Sequence, residues 1–129
     1  MNTDLKILVV DDIFTNQLLI NSILESMGFE SKTVSNGKLA IEEMEKDIYD
    51  IVFMDIEMPV MNGVETTKFI RNNFSEPQKS IPIIALTAHN MHEFSENTRT
   101  AGFTEIVSKP YSLEKFKGLL TKYAGSEKL

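Results

Sequence analysis

Hydrophobic runs alternate with amphipathic stretches five times along the chain. Four of the runs are short, mostly apolar and rich in β-branched residues, which is typical of strands covered on both faces of a sheet, although buried helix segments can look alike. The run at 29–34 is more polar and alternates, which favours an edge strand. The predicted strands are LKILVV (5–10), FESKTV (29–34), DIVFM (50–54), IPIIAL (81–86) and EIV (105–107).

The stretches between the strands carry apolar residues at the three-and-four spacing of amphipathic helices. The residues expected at helix ends are Gly28 for the first helix, Ser35 or Asn36 for the second, Asn62-Gly63 for the third and Ala101-Gly102 for the fourth. The residues expected on buried sides are Ile20, Ile23, Leu24 and Met27 in the first helix, Ala40, Ile41 and Met44 in the second, and Leu113, Phe116, Leu120 and Tyr123 in the fifth. The fourth helix, around 91–100, is the least apolar, with Met91 and Phe94 as its large apolar residues.

This alternation predicts an α/β fold, a doubly wound five-stranded parallel sheet between two helix layers, in other words a three-layer sandwich. Sheets of this kind bind ligands beyond the carboxyl ends of their strands, near the point where the strand order switches. The side chains at those ends are therefore the candidates for chemistry.

Length and composition exclude several classes of protein. The 129 residues suit a single domain over 1–129, with a core of about 5–124 and a frayed tail at 125–129. No apolar window approaches the roughly 18 residues of a membrane span, and the absence of cysteine excludes disulfides, thiolate zinc and thiol catalysis. We therefore expect a cytoplasmic protein without membrane contact. The net charge of −6, with no cluster of Lys and Arg, argues against direct nucleic-acid binding.

Acids and phosphate-binding residues follow the predicted inner strands. Asp11 and Asp12 follow the first, Asp55 the third, Thr87 the fourth, and Ser108-Lys109 the fifth. Carboxylates that share a small volume raise one another's pKa unless a cation compensates. Mg²⁺ favours oxygen ligands and keeps waters that exchange with phosphate oxygens. Three carboxylates, Mg²⁺ and Lys109 together come close to neutrality, so the site can accept an anionic phosphoryl group.

Asp55 is the predicted acceptor of that group. A carboxylate with an ordinary pKa of about 3.9 is ionised at neutral pH and can attack phosphorus. Lys109 offers phosphate a point charge, and the Thr87 hydroxyl can donate to a phosphoryl oxygen. The loop that contains Pro59 and Gly63 leaves room above Asp55. Most of the catalysis would come from positioning and electrostatics.

Four motifs together resemble the signature of two-component response-regulator receiver domains. They are VVDD (9–12), MDIEMPVMNG (54–63), LTAH (86–89) and SKP (108–110), and the match covers roughly residues 5 to 124. The resemblance implies a CheY-like, flavodoxin-like fold with strand order 2-1-3-4-5. It also implies a phosphorelay function. A partner histidine kinase or histidine phosphotransfer protein would supply phosphohistidine, and the helix 4–strand 5–helix 5 face would switch binding of a downstream protein. Such a receiver phosphorylates itself, can dephosphorylate itself, and is not a turnover enzyme.

The resemblance assigns roles position by position. It makes Asp55 the phosphoacceptor, Thr87 the switch hydroxyl and Lys109 the phosphate contact, and it implies a cis Lys109-Pro110 bond. The implied Mg²⁺ ligands are Asp11, Asp12, Asp55 and the backbone carbonyl of Glu57, with Asp12 a more direct ligand than Asp11.

Some positions depart from the common receiver pattern or point to a particular kind of receiver. Ile106 stands where many receivers carry an aromatic switch residue, so an aromatic flip coupled to Thr87 is not expected. Asn16 and the wording of MDIEMPVMNG resemble receivers of hybrid histidine kinases. Glu57 and His89 lie two residues beyond Asp55 and Thr87, where they either tune the phosphoryl lifetime or are exposed loop side chains.

Three alternatives fit the sequence less well than a receiver. A haloacid-dehalogenase-type phosphohydrolase would use Glu57 as general acid, but its nucleophile follows the first strand and it needs a cap domain. A flavodoxin-like cofactor binder does not suit the acidic DDIFTN after the first strand. A phosphorylation-independent receiver is disfavoured because all five key positions are occupied. Whether the domain stands alone or belongs to a longer regulator stays open.

Overall fold

The five strands form one parallel sheet in the order β2-β1-β3-β4-β5. The computed structural model describes residues 5–87 and 96–124. The strands are β1 (Ile7–Val10), β2 (Ser31–Val34), β3 (Ile51–Asp55), β4 (Ile83–Thr87) and β5 (Glu105–Ser108). The helices are α1 (Phe14–Ser26), α2 (Gly37–Lys46), α3 (Gly63–Asn73), α4 (Glu96–Arg99 within the described ranges) and α5 (Leu113–Ala124), with a 3₁₀ turn at Gln78–Ser80. The predicted fold class and strand order are confirmed.

The predicted strand bounds are wrong by one or two residues at most ends. Phe29 is part of the turn that closes α1, since its N–H donates to the Leu24 carbonyl at 3.0 Å. The strand β2 therefore starts later than expected. At the other end, Asp55, Thr87 and Ser108 are the last residues of their strands instead of the residues that follow them. The strands therefore hold these three side chains directly on the rigid sheet.

Alternate residues of the inner strands feed two separate cores. On one face, residues such as Ile7, Val9 and Phe53 pack against α1 and α5, where the rings of Phe53 and Phe116 lie 4.8 Å apart between centroids. On the other face, Leu8, Val10, Val52 and Met54 pack against α2 and α3. This arrangement explains why these strands read as continuous apolar runs, since both sides of each strand are buried.

The helix ends follow ordinary capping chemistry. Gly28, with φ of +86°, ends α1; its N–H bonds Glu25 O at 2.9 Å, the Schellman pattern that favours glycine. Asn36, and not Ser35, caps α2 by accepting from the Leu39 N–H at 3.0 Å. Asn62 caps α3, and Glu65 completes a capping box that the sequence analysis did not identify.

The buried sides of α1 and α2 are as predicted, but that of α5 is partly wrong. Leu113 is 43% exposed and lines an open groove beside Met27, whereas Leu119 is buried. Phe116, Leu119 and Leu120 share one side of the helix because residues three and four apart lie on the same face. Within the described ranges, no helix combines the length and apolarity needed to cross a bilayer. The predictions for His89, Met91, Phe94 and the tail 125–129 concern residues outside the described ranges.

Candidate functional site

Three carboxylates meet at the carboxyl edge of the sheet. β1 and β3 are neighbours, with Val10 beside Met54, so Asp11 and Asp55 emerge next to each other. One carboxylate oxygen each from Asp11, Asp12 and Asp55 lie within 4.8 Å of one another. Asp11 is buried, Asp55 is partly buried and Asp12 is exposed. The cluster predicted from the strand ends is therefore present in the structure.

Asp11 is fixed from several sides. Its N–H donates to the Val34 carbonyl at 3.1 Å, and its Oδ1 accepts from the Ile13 N–H at 2.9 Å and from Asn16 Nδ2 at 3.5 Å. Its Oδ2 is buried and finds no hydrogen-bond donor in the described part of the chain. A buried carboxylate oxygen without a donor is costly unless a cation or proton satisfies it.

Crowding and burial change the acidity of the site. Burial, and then the charges of Asp11 and Asp12, raise the pKa of Asp55 to about 7, against the lowering effect of a hydrogen bond from the Glu57 N–H. Burial also raises the pKa of Asp11, which the hydrogen bonds from Ile13 and Asn16 partly oppose. Mutual elevation of pKa was predicted for crowded carboxylates. The ordinary value of about 3.9 does not include this burial and crowding, which favour the protonated form of Asp55 where no cation compensates.

These residues fit Mg²⁺. The donor set consists of hard carboxylate oxygens, one of them buried without a protein donor, and a divalent cation would offset the repulsion that raises the pKa of Asp55. Asp11, Asp12 and Asp55 would hold the ion. The role of the Glu57 carbonyl as a further ligand stays a prediction, although the Glu57 N–H already contacts the Asp55 carboxylate.

The loop after Asp55 depends on a glycine. The Gly63 N–H donates to the Ile56 carbonyl at 2.8 Å, which folds α3 back against the end of β3. A Cβ at Gly63 would lie 3.0 Å from Ile56 Cα and would overlap the Asp55 carbonyl oxygen. Further along the loop, Val60 has φ of +70° and is 77% exposed. The absence of a side chain at Gly63 thus lets the helix start directly behind the proposed nucleophile.

Thr87 and Lys109 lie at the ends of the next two strands. Thr87 is buried, and its carbonyl accepts from the Lys109 N–H at 2.9 Å. Lys109 Nζ lies 3.4 Å from Asn16 Oδ1 and 5.5 Å from the centroid of the Tyr111 ring. The charge of Lys109 also lowers the pKa of Asp11. The cis Lys109-Pro110 bond is confirmed. The roles of Thr87 and Lys109 toward phosphate stay predictions.

Tyr111 also lies near the cluster, although no sequence motif pointed to it. The hydroxyl of Tyr111 is close enough to the acids to respond to their charge. Burial, and then the charges of Asp11 and Asp55, raise its pKa. Its ring also packs edge-on against Phe116, with centroids 6.0 Å apart. The available signal was an aromatic residue two positions after Lys109. Asn16 was noticed only as a marker of a subfamily, whereas in the structure it joins Asp11 to Lys109.

Comparison with known families settles what this arrangement belongs to. The family model described as "Response regulator receiver domain" matches residues 7–121. The chain belongs to the response regulator receiver domain family. Membership decides against the phosphohydrolase and flavodoxin alternatives. Ile106 lies on β5 and is partly buried against Ala85 and Ala101, and the effect of an aliphatic residue there on switching stays a prediction.

The receiver resembles domains found within sensor kinases. It is 36% identical over 121 residues to the sensor protein GacS of Pseudomonas syringae, covering 93% of this chain and 13% of GacS. The chain thus spans about an eighth of that relative. The receiver domain of the sensor histidine kinase PA1611 from Pseudomonas aeruginosa, with magnesium in its active-site cleft, gives a TM-score of 0.86 at 34% identity, covering 95% of this chain and 98% of that one. A receiver within a sensor kinase defines a hybrid kinase, so the predicted subfamily resemblance is confirmed.

A third structure contains a receiver with its phosphotransfer partner. It is the co-crystal of the Saccharomyces cerevisiae histidine phosphotransfer protein Ypd1 with the receiver domain of Ssk1. The match has a TM-score of 0.84 at 25% identity and covers 100% of this chain and 94% of that chain. The overall backbone of this receiver is therefore similar to that of relatives from bacteria and yeast.

Proposed function

We propose that this receiver accepts a phosphoryl group on Asp55, with Mg²⁺, from the phosphohistidine of a histidine kinase or a histidine phosphotransfer protein. The observation that carries the proposal is the cluster of Asp11, Asp12 and Asp55 oxygens within 4.8 Å, with Asp11 Oδ2 buried and lacking a donor in the described ranges. Lys109 lies at the same edge and influences the same cluster. Family membership supports the phosphoacceptor role.

The chain's own residues account for most of the chemistry. A deprotonated Asp55 oxygen forms the new P–O bond as the P–N bond of the donor breaks, and the imidazole nitrogen keeps the electron pair of that bond. The Glu57 N–H orients the Asp55 carboxylate, and Lys109 leaves Asn16 to contact the transferred phosphoryl group. The Thr87 hydroxyl donates to a phosphoryl oxygen. When bound, Mg²⁺ supplies positive charge to the carboxylates and to the phosphoryl oxygens. The domain acts once per phosphoryl group and is not a turnover enzyme.

An exposed apolar surface beside the site suits a protein donor. The residues directly after Asp12 are Ile13 and Phe14, and Phe14 is 68% exposed. Leu18 and Leu19 continue exposed apolar surface along α1. Contiguous apolar surface of this kind is typical of an interaction site. The donor would cover this surface while presenting its phosphohistidine to Asp55. The α4–β5–α5 face would then change its affinity for a downstream protein.

Intact-mass measurement after incubation with a small phosphodonor tests the function. Acetyl phosphate and phosphoramidate, the second of which carries a P–N bond, are each added with Mg²⁺ or with EDTA. We expect one added phosphoryl group that requires both Mg²⁺ and Asp55, and none on the Asp55→Asn variant. Labelling of that variant to the wild-type extent would refute the assignment. Wild-type protein that neither labels nor binds beryllofluoride, a stand-in for the phosphoryl group, would refute phosphoacceptor chemistry altogether.

A further inference from the structure

One lysine side chain holds the peptide carbonyls on both sides of Lys109. Lys115 Nζ donates to the Ser108 carbonyl at 3.0 Å and to the Pro110 carbonyl at 2.9 Å. Both distances are normal for a charged donor, and a hydrogen bond from a charged group is stronger than one between neutral groups. Lys115 therefore braces the short segment that carries the proposed phosphate contact.

The brace is itself anchored to the core. Lys115 lies in the first turn of α5, where its N–H donates to Ser112 Oγ and the Phe116 N–H donates to the Ser112 carbonyl, both at 3.2 Å. Phe116 is buried and its ring packs at a tilt against Phe53, two residues before Asp55 in β3. The ammonium of Lys115 is thus tied through α5 to the strand that holds the proposed nucleophile.

The other side of the segment is fixed by the sheet. The Lys109 N–H donates to the Thr87 carbonyl at 2.9 Å, and Thr87 pairs with Ser108 in register. Lys109 Nζ itself is held only by Asn16 and the Tyr111 ring among the contacts that the structure describes. The backbone around Lys109 is therefore fixed by β4 on one side and by Lys115 on the other, which sets where the Lys109 ammonium can reach.

We infer that Lys115 is a positioning residue for Lys109, and thereby a determinant of the phosphorylation rate of Asp55. The inference rests on the proposed function. Small misplacements of a charged group can cost a large share of its contribution to a phosphoryl-transfer reaction. Lys115→Met removes the two bonds while preserving an aliphatic side chain. We expect it to slow labelling by acetyl phosphate about 3- to 10-fold.

Variants at three positions separate positioning from a general structural effect. Lys117→Met removes the same charge from an exposed position two residues further along α5 and should label at the wild-type rate. Lys115→Arg retains a cation that can reach two carbonyls and should recover most of the rate. In a Lys109→Met background, Lys115→Met should cause no further loss, because its effect passes through Lys109. Equal losses in both backgrounds, or a slow Lys117→Met variant, would overturn the inference.

A second measurement does not depend on phosphorylation. In the absence of a phosphodonor, Lys115→Met should shift the backbone amide NMR resonances of Lys109 and Tyr111, whereas Lys117→Met should not. Unchanged resonances in Lys115→Met would overturn the positioning role. If the resonances shift as expected but the wild-type protein accepts no phosphoryl group, the proposed function fails while the brace on Lys109 stands.

Discussion

Replacing Asp55 by Asn should stabilise the metal-free receiver at alkaline pH, although it removes the proposed nucleophile. Burial and the charges of Asp11 and Asp12 raise the pKa of Asp55 from its ordinary 3.8 to about 7. Each pKa unit corresponds to about 1.4 kcal/mol, so ionising Asp55 costs the folded state about 4 kcal/mol relative to the unfolded chain. Solvent at the open edge of the site screens part of this cost, and we expect the variant to gain about 2 kcal/mol.

The pH dependence gives this prediction its sign. The folded pKa of Asp55 lies above the unfolded one, so its protonation stabilises the domain fully below about pH 4, and this stability is lost as pH rises through about 7. Asparagine has no such proton to lose. The advantage of Asp55→Asn should therefore be near zero at about pH 4 and reach its full size above about pH 8.

Urea denaturation in EDTA, followed by circular dichroism across this pH range, measures the difference. Glu42→Gln serves as the matched control, since it removes one charge from an exposed position on α2 in a chain of net charge −6. A gain of about 2 kcal/mol corresponds to about 6 °C in the melting temperature of a domain of this size. The reasoning fails if Asp55→Asn is less stable than wild type at about pH 8, or if its advantage is the same at every pH. Added Mg²⁺ should stabilise the wild type more than the variant.

Three further predictions concern the metal, the donor surface and the loop behind Asp55. Mg²⁺ affinity, measured by calorimetry, should rise as pH increases through about 7, because protons and the cation compete for the same carboxylates; a pH-independent affinity would contradict the site. Phe14→Ser should slow transfer from a phosphorylated protein donor without changing labelling by acetyl phosphate, whereas Ile48→Ser, an exposed apolar position just before β3 begins, should change neither. Gly63→Ala should destabilise the domain by about 2–4 kcal/mol in urea denaturation, because the new Cβ would overlap backbone atoms. Gly118→Ala, whose Cβ meets open space within α5, should be neutral or stabilising by up to about 1 kcal/mol. Equal effects of the two variants would contradict the steric argument.

The acidic cluster could be predicted from the sequence because parallel strands place their carboxyl ends at one edge of the sheet, whatever side chains they carry. Apolar runs that end in Asp11-Asp12, Asp55 and Lys109 put those residues at one edge once the strands are parallel. The continuous apolar runs likewise predicted strands that are buried on both faces. What these patterns specify is the position of a residue along an element, and this part of the prediction is confirmed.

The features that escaped prediction depend on contacts between distant segments. The high pKa of Asp55 arises from burial and from the charges of Asp11 and Asp12, and the spacing of acids gives only the direction of the shift. The contacts of Lys115 with two carbonyls depend on the backbone path between β5 and α5, which no periodicity encodes. Leu113 was wrongly placed on the buried side of α5 and Leu119 was left out, because helical spacing gives a face but not how far along the helix that face stays covered.

The contacts around Lys109 provide a route by which a change of charge at Asp55 could affect β5 and α5. Under the proposed function, phosphorylation would add negative charge beside a cluster whose carboxylates already repel one another, and Lys109 would gain a stronger partner than the Asn16 oxygen. Movement of Lys109 acts on its backbone, which is bonded to Thr87 of β4 and flanked by the carbonyls that Lys115 holds. Both strands next to α4 and the first turn of α5 are thereby linked to the charge state of one side chain. Ile106 has no aromatic ring to rotate, so among the described residues we propose this backbone route as the connection between the acidic cluster and the α4–β5–α5 face.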